Sequence, residues 1–373
     1  MTDLVVISLE GWDEVWRRNQ HLIAGLLRTN PGLQVLFVEP PADPLHALAS
    51  GRRPSFGRRL TEIPDVAPGR LWRRQPVKWL PRRFDSRADE RLARSVMKTV
   101  RRRGMQHPLL WINDPSASTL SKLTGWPTLY DMTDDWLSAD RPAAELSRVA
   151  AAEEYLLSEA AEVVACSPEL VRRKAPRRPS TRSPIALIPN AVDADTYRRP
   201  AARPSDLPDG LTAVYVGTLH EDRIDVALCE KVARGRAALV LVGPNALTSD
   251  STRRLQDAGA LLLGSRSHEA VVGYLQHATI LVVPHVVTDF TESLDPIKLY
   301  EYLAVDRPIV STPVAGFRDA DDPRVSIADT AVFPASLDRA VVAPFSTTTP
   351  SAHVADWKDR VTSMAAIIGR LAR

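Results

Sequence analysis

The chain has 373 residues, 44% of them hydrophobic, with 48 Lys plus Arg against 45 Asp plus Glu and a net charge of +3. That length exceeds what one hydrophobic core usually organises and predicts two domains, while the near-balance of charge excludes nucleic-acid binding driven by overall basicity. Cys166 and Cys229 are too few and too far apart for a disulfide framework or a metal-ligand pattern.

The opening MTDLVVISLEGWDEVW lacks the charged start and long apolar run of a leader. No apolar stretch approaches about 18 residues. Folding in the cytoplasm is therefore expected. Leu4–Leu9 reads as a strand, Asp13–Leu27 as a helix and Leu33–Val38 as the next strand, an order that predicts a parallel α/β sheet. Between Arg52 and Arg83 stand ten basic residues and two acidic ones, Glu62 and Asp65, with Trp72 and Trp79 among them. This stretch, within a segment from about 42 to 85, has no regular period and is expected to be an irregular insertion that meets an anionic membrane surface, a lipid-linked diphosphate or water.

A helix is expected over Ser86–Arg102, strands at Leu109–Ile112, Pro127–Met132 and Val163–Cys166, and an acidic helix at Ala144–Ala160. After the Pro-rich stretch near Arg198–Gly210 the alternation resumes. Strands are expected at Leu211–Val216, Ala237–Val242, Ala260–Leu263, Thr279–Pro284 and Pro308–Ser311. The expected division is a first domain over 1–197, a second over 198–352, and a terminal helix from His353 or Trp357 to Leu371 that either packs locally or crosses back to the first domain.

The chemistry concentrates in TESLDPIKLYEYLAVDRPIVST, Thr291–Thr312. Asp295 is placed to cap a helix with Pro296 at its first position, where a missing N–H costs nothing. The free N–H groups and dipole of such a helix start favour an anion. Lys298 adds a cation, and Glu301, three residues on and on the same side, could accept hydroxyl hydrogen bonds. The same spacing also fits a surface Lys/Glu pair. Near the N-terminus, Gly11 follows the first strand and could allow close approach of a ligand or only serve a turn. Asp131, Asp134 and Asp135 after the 127–132 strand could act as paired acids, hold Mg²⁺, or cap a helix.

Residues Glu292–Thr312 resemble the nucleotide-binding segment of GT-B glycosyltransferases, in particular the retaining family-four group and the teichuronic-acid-type enzymes. Leu187–Asp193, Val214–Leu219 and Leu239–Gly243 resemble further segments of that family in the same order. The resemblance implies two Rossmann-like α/β domains facing a central cleft, the second binding the donor. Glu301 takes the place of the glutamate that binds the donor ribose. Gly217 and Arg223 fall on the phosphate loop, and Ser293 stands where the family has its first glutamate, with Glu292 one residue earlier. Asp134 stands nearest the usual sugar-side histidine, as a residue that orients a sugar hydroxyl, stabilises positive charge in an oxocarbenium-like transition state or acts as a base. Asp306 replaces a turn glycine and would need the left-handed conformation.

The resemblance implies transfer of a hexose-like group from a nucleoside diphosphate sugar to a glycan, lipid-linked or small-molecule hydroxyl, with retention. No metal site and no obligatory cofactor are expected, although a divalent ion is compatible with the scheme. Two alternatives remain at this point. One is a nucleotide-sugar or polysaccharide-binding protein without transferase activity. The other is a different sugar-nucleotide enzyme, which the lack of a glycine-rich fingerprint after the first strand disfavours.

Overall fold

The computed structural model describes residues 2–13, 16–49, 51, 53–82, 84–138, 141–342 and 354–373. Arg52, Arg83 and His353, which bounded the basic segment and the expected terminal helix, lie outside them. Two compact units result: Met1–Pro189 together with Lys358–Arg373, and Asn190–Trp357.

The first unit contains β1 (Thr2–Ile7), α1 (Arg18–Thr29), β2 (Leu33–Val38), α2 (Pro44–Ala49), β3 (Arg58–Glu62), β4 (Leu71–Gln75), α3 (Ala88–Arg102) and β5 (Leu109–Ile112). It continues through α4 (Ser118–Thr124), β6 (Thr128–Met132), α5 (Ala143–Glu159), β7 (Glu162–Ala165), α6 (Pro168–Lys174) and β8 (Ala186–Leu187). The strands form one sheet in the order β3-β4-β2-β1-β5-β6-β7-β8, parallel except for the β3–β4 pair. The central strands are apolar on both faces because helices cover both sides. Val5, Leu36, Leu110 and Val163 are fully buried in this core.

The segment expected to be irregular instead extends the sheet. Arg-rich β4 pairs in parallel with β2, Val35 opposite Leu71 and Val38 opposite Arg74. Its arginines are accommodated because they find acceptors within the unit: Arg73 donates to Trp12 O and Arg74 to Ser95 O and Ser95 Oγ, while Arg70, just before the strand, donates to Leu27 O and Asn30 O. Trp72 is buried with the Arg103 guanidinium stacked 3.4 Å from its ring centroid, so only Trp79 of the two tryptophans is exposed.

The second unit contains α7 (Ala194–Arg198), β9 (Thr212–Val216), α8 (Val226–Ala233), β10 (Ala238–Val242), α9 (Ser249–Asp257), β11 (Leu261–Gly264), α10 (His268–His277) and β12 (Ile280–Val283). It ends with α11 (Ile297–Ala304), β13 (Ile309–Ser311), β14 (Val325–Ile327) and α12 (Phe333–Val342). All six strands are parallel, in the order β11-β10-β9-β12-β13-β14. Helix starts follow ordinary capping chemistry: Asp225, Thr248 and Ser267 accept hydrogen bonds from the amides of Leu228, Ser251 and Ala270.

The expected boundary at 197/198 falls inside the second unit. Asn190 and Tyr197 are tied to that unit by hydrogen bonds to Asp295 and Glu301, so the passage from 190 belongs with it. The terminal helix α13 (Trp357–Leu371) returns to the first unit over Lys358–Arg373. Gly25 of α1 lies so close to Val361 that a Cβ there would overlap its side chain, and Arg370 Nε donates to Glu162 Oε1 at 2.8 Å.

Candidate active site

In an open parallel sheet the strand order reverses at one point, and the loops there diverge to leave a crevice beyond the carboxyl ends of the strands. In the second unit this point lies between β9 and β12. Gly217 follows β9 and has φ +148, a conformation that L side chains rarely adopt. A Cβ there would stand 3.0 Å from both Lys298 Nζ and Tyr215 OH. Gly243, after β10, has φ +144, and a Cβ there would overlap the Gly217 carbonyl. Two glycines in succession therefore let the phosphate-loop candidate lie against Lys298.

Lys298 is on the first turn of α11. Its Nζ donates to Tyr215 OH at 2.6 Å and lies 3.1 Å from His285 Nε2, while the Tyr215 hydroxyl is itself 3.1 Å from that nitrogen. Burial, then the nearby Arg223 charge, pushes the lysine down to about 7, against an opposing pull from Glu301. Burial, then Lys298 and Arg223, holds His285 well below the usual imidazole range, so it is neutral and can accept from the ammonium. Burial raises Tyr215, which stays a neutral phenol.

Arg223 lies beside this cluster. Val286 N donates to Arg223 O at 2.9 Å, and the guanidinium carbon is 5.8 Å from the Phe290 ring centroid. One turn along α11 from Lys298, Glu301 Oε1 accepts from Tyr197 OH at 2.5 Å. Burial raises its carboxyl, opposed by Tyr197, His268 and Lys298. His268 packs edge-on to the Tyr197 ring at 5.6 Å. The structure thus brings Gly217, Arg223, Lys298 and Glu301 into one neighbourhood.

Asp295 does not cap α11. Pro296 is the N-cap residue, and the Asp295 carboxylate accepts from Asn190 N and, at 2.8 Å, from Tyr300 OH. These bonds fasten the 190–197 passage to the start of α11 and take the acid away from the capping position. Gly316, at φ +83, sits where a Cβ would meet Pro296 Cδ at 3.0 Å. Ser293 is buried and donates to Phe290 O at 2.7 Å, while Glu292 pairs with Arg318 at 2.9 Å. Asp306 needs no left-handed backbone, since no described residue other than glycine has positive φ. It lies 3.7 Å from Arg324.

The first unit has its own reversal point between β1 and β5, where a buried polar network sits. Arg18 holds Asp131 through Nε at 3.2 Å and Nη2 at 3.0 Å. Asn113 donates to Asp131 O at 3.0 Å, and Asn19 donates to Asn113 Oδ1 at 2.9 Å and Ser8 Oγ at 3.1 Å. Asp135 is also committed, accepting from Lys174 at 2.7 Å and Arg173 at 3.0 Å. Of the three clustered acids only Asp134 is half-exposed, and it accepts from Thr133 Oγ1 at 3.0 Å. Gly11 is not in the left-handed region. Its carbonyl accepts from Gln20 Nε2 at 3.3 Å, and a Cβ would meet Glu39 Oε1 at an unstrained 3.8 Å.

Sequence reasoning missed Tyr197, Tyr215 and His285. Two signals were present: His285 follows the Pro284 that ends an apolar strand, and Tyr215 precedes the loop glycine.

Two parallel α/β units, with this cluster at the reversal point of the second, define a GT-B fold, and residues 210–341 match the family described as glycosyl transferases group 1. Among individual proteins, the chain is 21% identical over 218 residues to a Bacillus subtilis (strain 168) protein that carries the name teichuronic acid biosynthesis glycosyltransferase TuaH. That match takes in 54% of this chain and spans only 55% of the relative's length. Sucrose-phosphate synthase from Thermosynechococcus elongatus superposes with a TM-score of 0.72 at 16% identity, covering 100% of this chain and 99% of its own. Anabaena HepE, solved in complex with UDP, gives 0.63 at 13% identity, with 99% and 100% covered. At such identities the structural likeness is one of fold.

Proposed function

We propose that the chain is a glycosyltransferase that moves a hexose-like group from a nucleoside diphosphate sugar to an acceptor hydroxyl of a glycan, a lipid-linked sugar or a small molecule, with retention at the anomeric carbon, in the cytoplasm. The observation that carries this reading is the pairing on one helix face of Lys298, gathered with Tyr215 and His285 beneath the Gly217 loop, and Glu301 bonded to Tyr197.

In this scheme the bond between the anomeric carbon and the diphosphate oxygen breaks and its electron pair goes to the phosphate. The acceptor oxygen then bonds to the anomeric carbon and gives up its proton. Lys298, Arg223 and the amides at the start of α11 stabilise the charge that develops on the leaving diphosphate. Gly217 admits the phosphates to the loop. Glu301, positioned by Tyr197, accepts the ribose hydroxyls through its second oxygen and so fixes the nucleotide's register. Asp134 orients a sugar hydroxyl or receives the proton. Ser293 and Asp295 act indirectly, since their hydrogen bonds shape the loop and the helix start.

The decisive experiment pairs calorimetric titration of UDP, GDP, TDP and ADP with a transfer assay, using the corresponding sugars and a panel of soluble and lipid-linked acceptors. One nucleotide diphosphate is expected to bind well above the others and its sugar to be transferred. Tight binding with no transfer to any acceptor would favour a nucleotide-sugar-binding protein. Absence of binding to all four would overturn the reading.

A further inference from the structure

Every aromatic side chain that is exposed among the described residues comes from one short stretch: Phe56 at 63%, Trp79 at 62% and Phe84 at 70%. Leu45, Leu48 and Leu80, from the same part of the chain, are exposed as well. Exposed apolar side chains scattered singly need no explanation, but a group of this kind does.

The backbone brings the start of α2, the turn carrying Phe56 and the segment carrying Trp79 together in the first unit. Ala42 N donates to Pro76 O and Lys78 N to Ala42 O, both at 2.8 Å, which sets the start of α2 against the 76–80 strand extension. Lys78 pairs with Asp43 at 2.7 Å across the same junction. The turn before β3 is pressed onto that extension through Gly57, at φ +76, where a Cβ would lie 2.6 Å from Gln75 O and 2.8 Å from Val77 Cγ2. The Phe56 and Trp79 rings then come within 6.1 Å of each other.

The charge in this stretch is predominantly basic. The stretch from Arg52 to Arg83 has ten basic residues and two acidic ones in a chain whose total is only +3. Some of that charge is turned inward on carbonyl groups, and Arg58, Lys78 and Arg82 pair with Glu39, Asp43 and Asp89, but Arg53, Arg59 and, just beyond the stretch, Arg87 are exposed. Exposed arginines on the outermost strand β3 also discourage edge-to-edge pairing with a second copy.

We propose that this face docks on an anionic lipid bilayer, with Phe56, Trp79 and the neighbouring leucines entering the interface and the arginines meeting lipid phosphates. Aromatic rings settle at the headgroup level, and basic side chains are drawn to the negative surface potential. Docking of this kind is peripheral, as no described helix is long and apolar enough to cross a membrane. The inference stands apart from the donor chemistry, which lies in the second unit.

Flotation of the full chain with vesicles tests it. Vesicles of phosphatidylcholine with about one-third phosphatidylglycerol are expected to carry the protein, pure phosphatidylcholine vesicles to carry much less, and raised salt to release it. Phe56→Ser combined with Trp79→Ser should lower the bound fraction roughly tenfold, whereas Ile327→Ser, an exposed site in the second unit, should leave it unchanged. If the serine variant loses its circular dichroism signature, Arg53→Glu with Arg59→Glu takes its place, with the same loss expected. Failure of the parent to float with anionic vesicles, or flotation unchanged in the folded variants, overturns the proposal. UDP or GDP titration of the same variants should be unaltered, so that loss of docking and loss of donor binding are read separately.

Discussion

The two reversal points of this molecule are built on the same strand logic and differ in how their charges are satisfied. In the first unit, Arg18 and Asp131 neutralise each other at 3.0 Å in a site closed to water, and Asn19, Asn113 and Ser8 fill in around them. In the second unit, Lys298 is surrounded by neutral or cationic neighbours, namely Tyr215, His285 and Arg223, with Glu301 a turn away. One site is electrically complete and holds its unit together. In the other, burial and the Arg223 charge outweigh the pull of Glu301 on Lys298, so an anion brought beside the lysine would favour its charged form.

The largest effect expected from breaking this contrast is on stability in the first unit. Asp131→Ala leaves Arg18 buried and unpaired and should cost about 3–5 kcal/mol in urea unfolding. Lys298→Met removes a charge that the fold itself does not satisfy. Its unfolding free energy should not fall below the parent's, because burial already disfavours that charge in the fold, while diphosphate affinity by calorimetry drops on the order of 10- to 100-fold. A loss of stability at Lys298 equal to that at Asp131 would erase the distinction.

Gly25→Ala drives a methyl into Val361 and should destabilise by about 1–3 kcal/mol without altering nucleotide binding. The pH dependence is subtler. Lys298 sits at about 7 when unliganded, and a bound diphosphate raises it, so binding takes up a proton. Affinity should therefore fall as pH rises above about 7, at most tenfold per unit, and Lys298→Met should flatten that limb. Without ligand the sign is reversed. The native lysine sits below its ordinary 10.5, so its contribution makes the fold more stable as pH rises from about 7 toward that value. The smallest effect is expected for Tyr197→Phe, which takes one hydrogen bond from Glu301 and should weaken UDP or GDP binding several-fold. Pyrophosphate binding should be unmoved, because it has no ribose.

Much of the sheet core could be read from the chain. Runs such as LVVI, VLFV and ALVLV, short and rich in β-branched residues, read as strands buried on both faces, and the structure keeps them within a residue or two of the expected bounds. The α1 start was expected at Asp13 and lies at Arg18. Strands β3 and β4 are hidden because RRLTE and LWRRQ look like solvent-facing charge: β3 is exposed, with Arg58 on the Glu39 carboxylate, and only tertiary carbonyls show where Arg73 and Arg74 of β4 go. Helices α4, α6 and α9 are short and polar, so no extended apolar period marks them in the sequence. At the site, Lys298 and Glu301 were legible as a spaced pair. The misplacement of Asp295 has a plain cause: its partner Asn190 is 105 residues away, and no local capping rule sees that competition.

The return of α13 to the first unit has a consequence for synthesis. Residues 358–373 leave the ribosome only after all of 190–357, so the second unit can close while the first still lacks the helix that covers Gly25 and answers Glu162. The domain begun first is thus finished last. A stall or cleavage before residue 358 would leave the whole of the second unit attached to a first unit with an open seam.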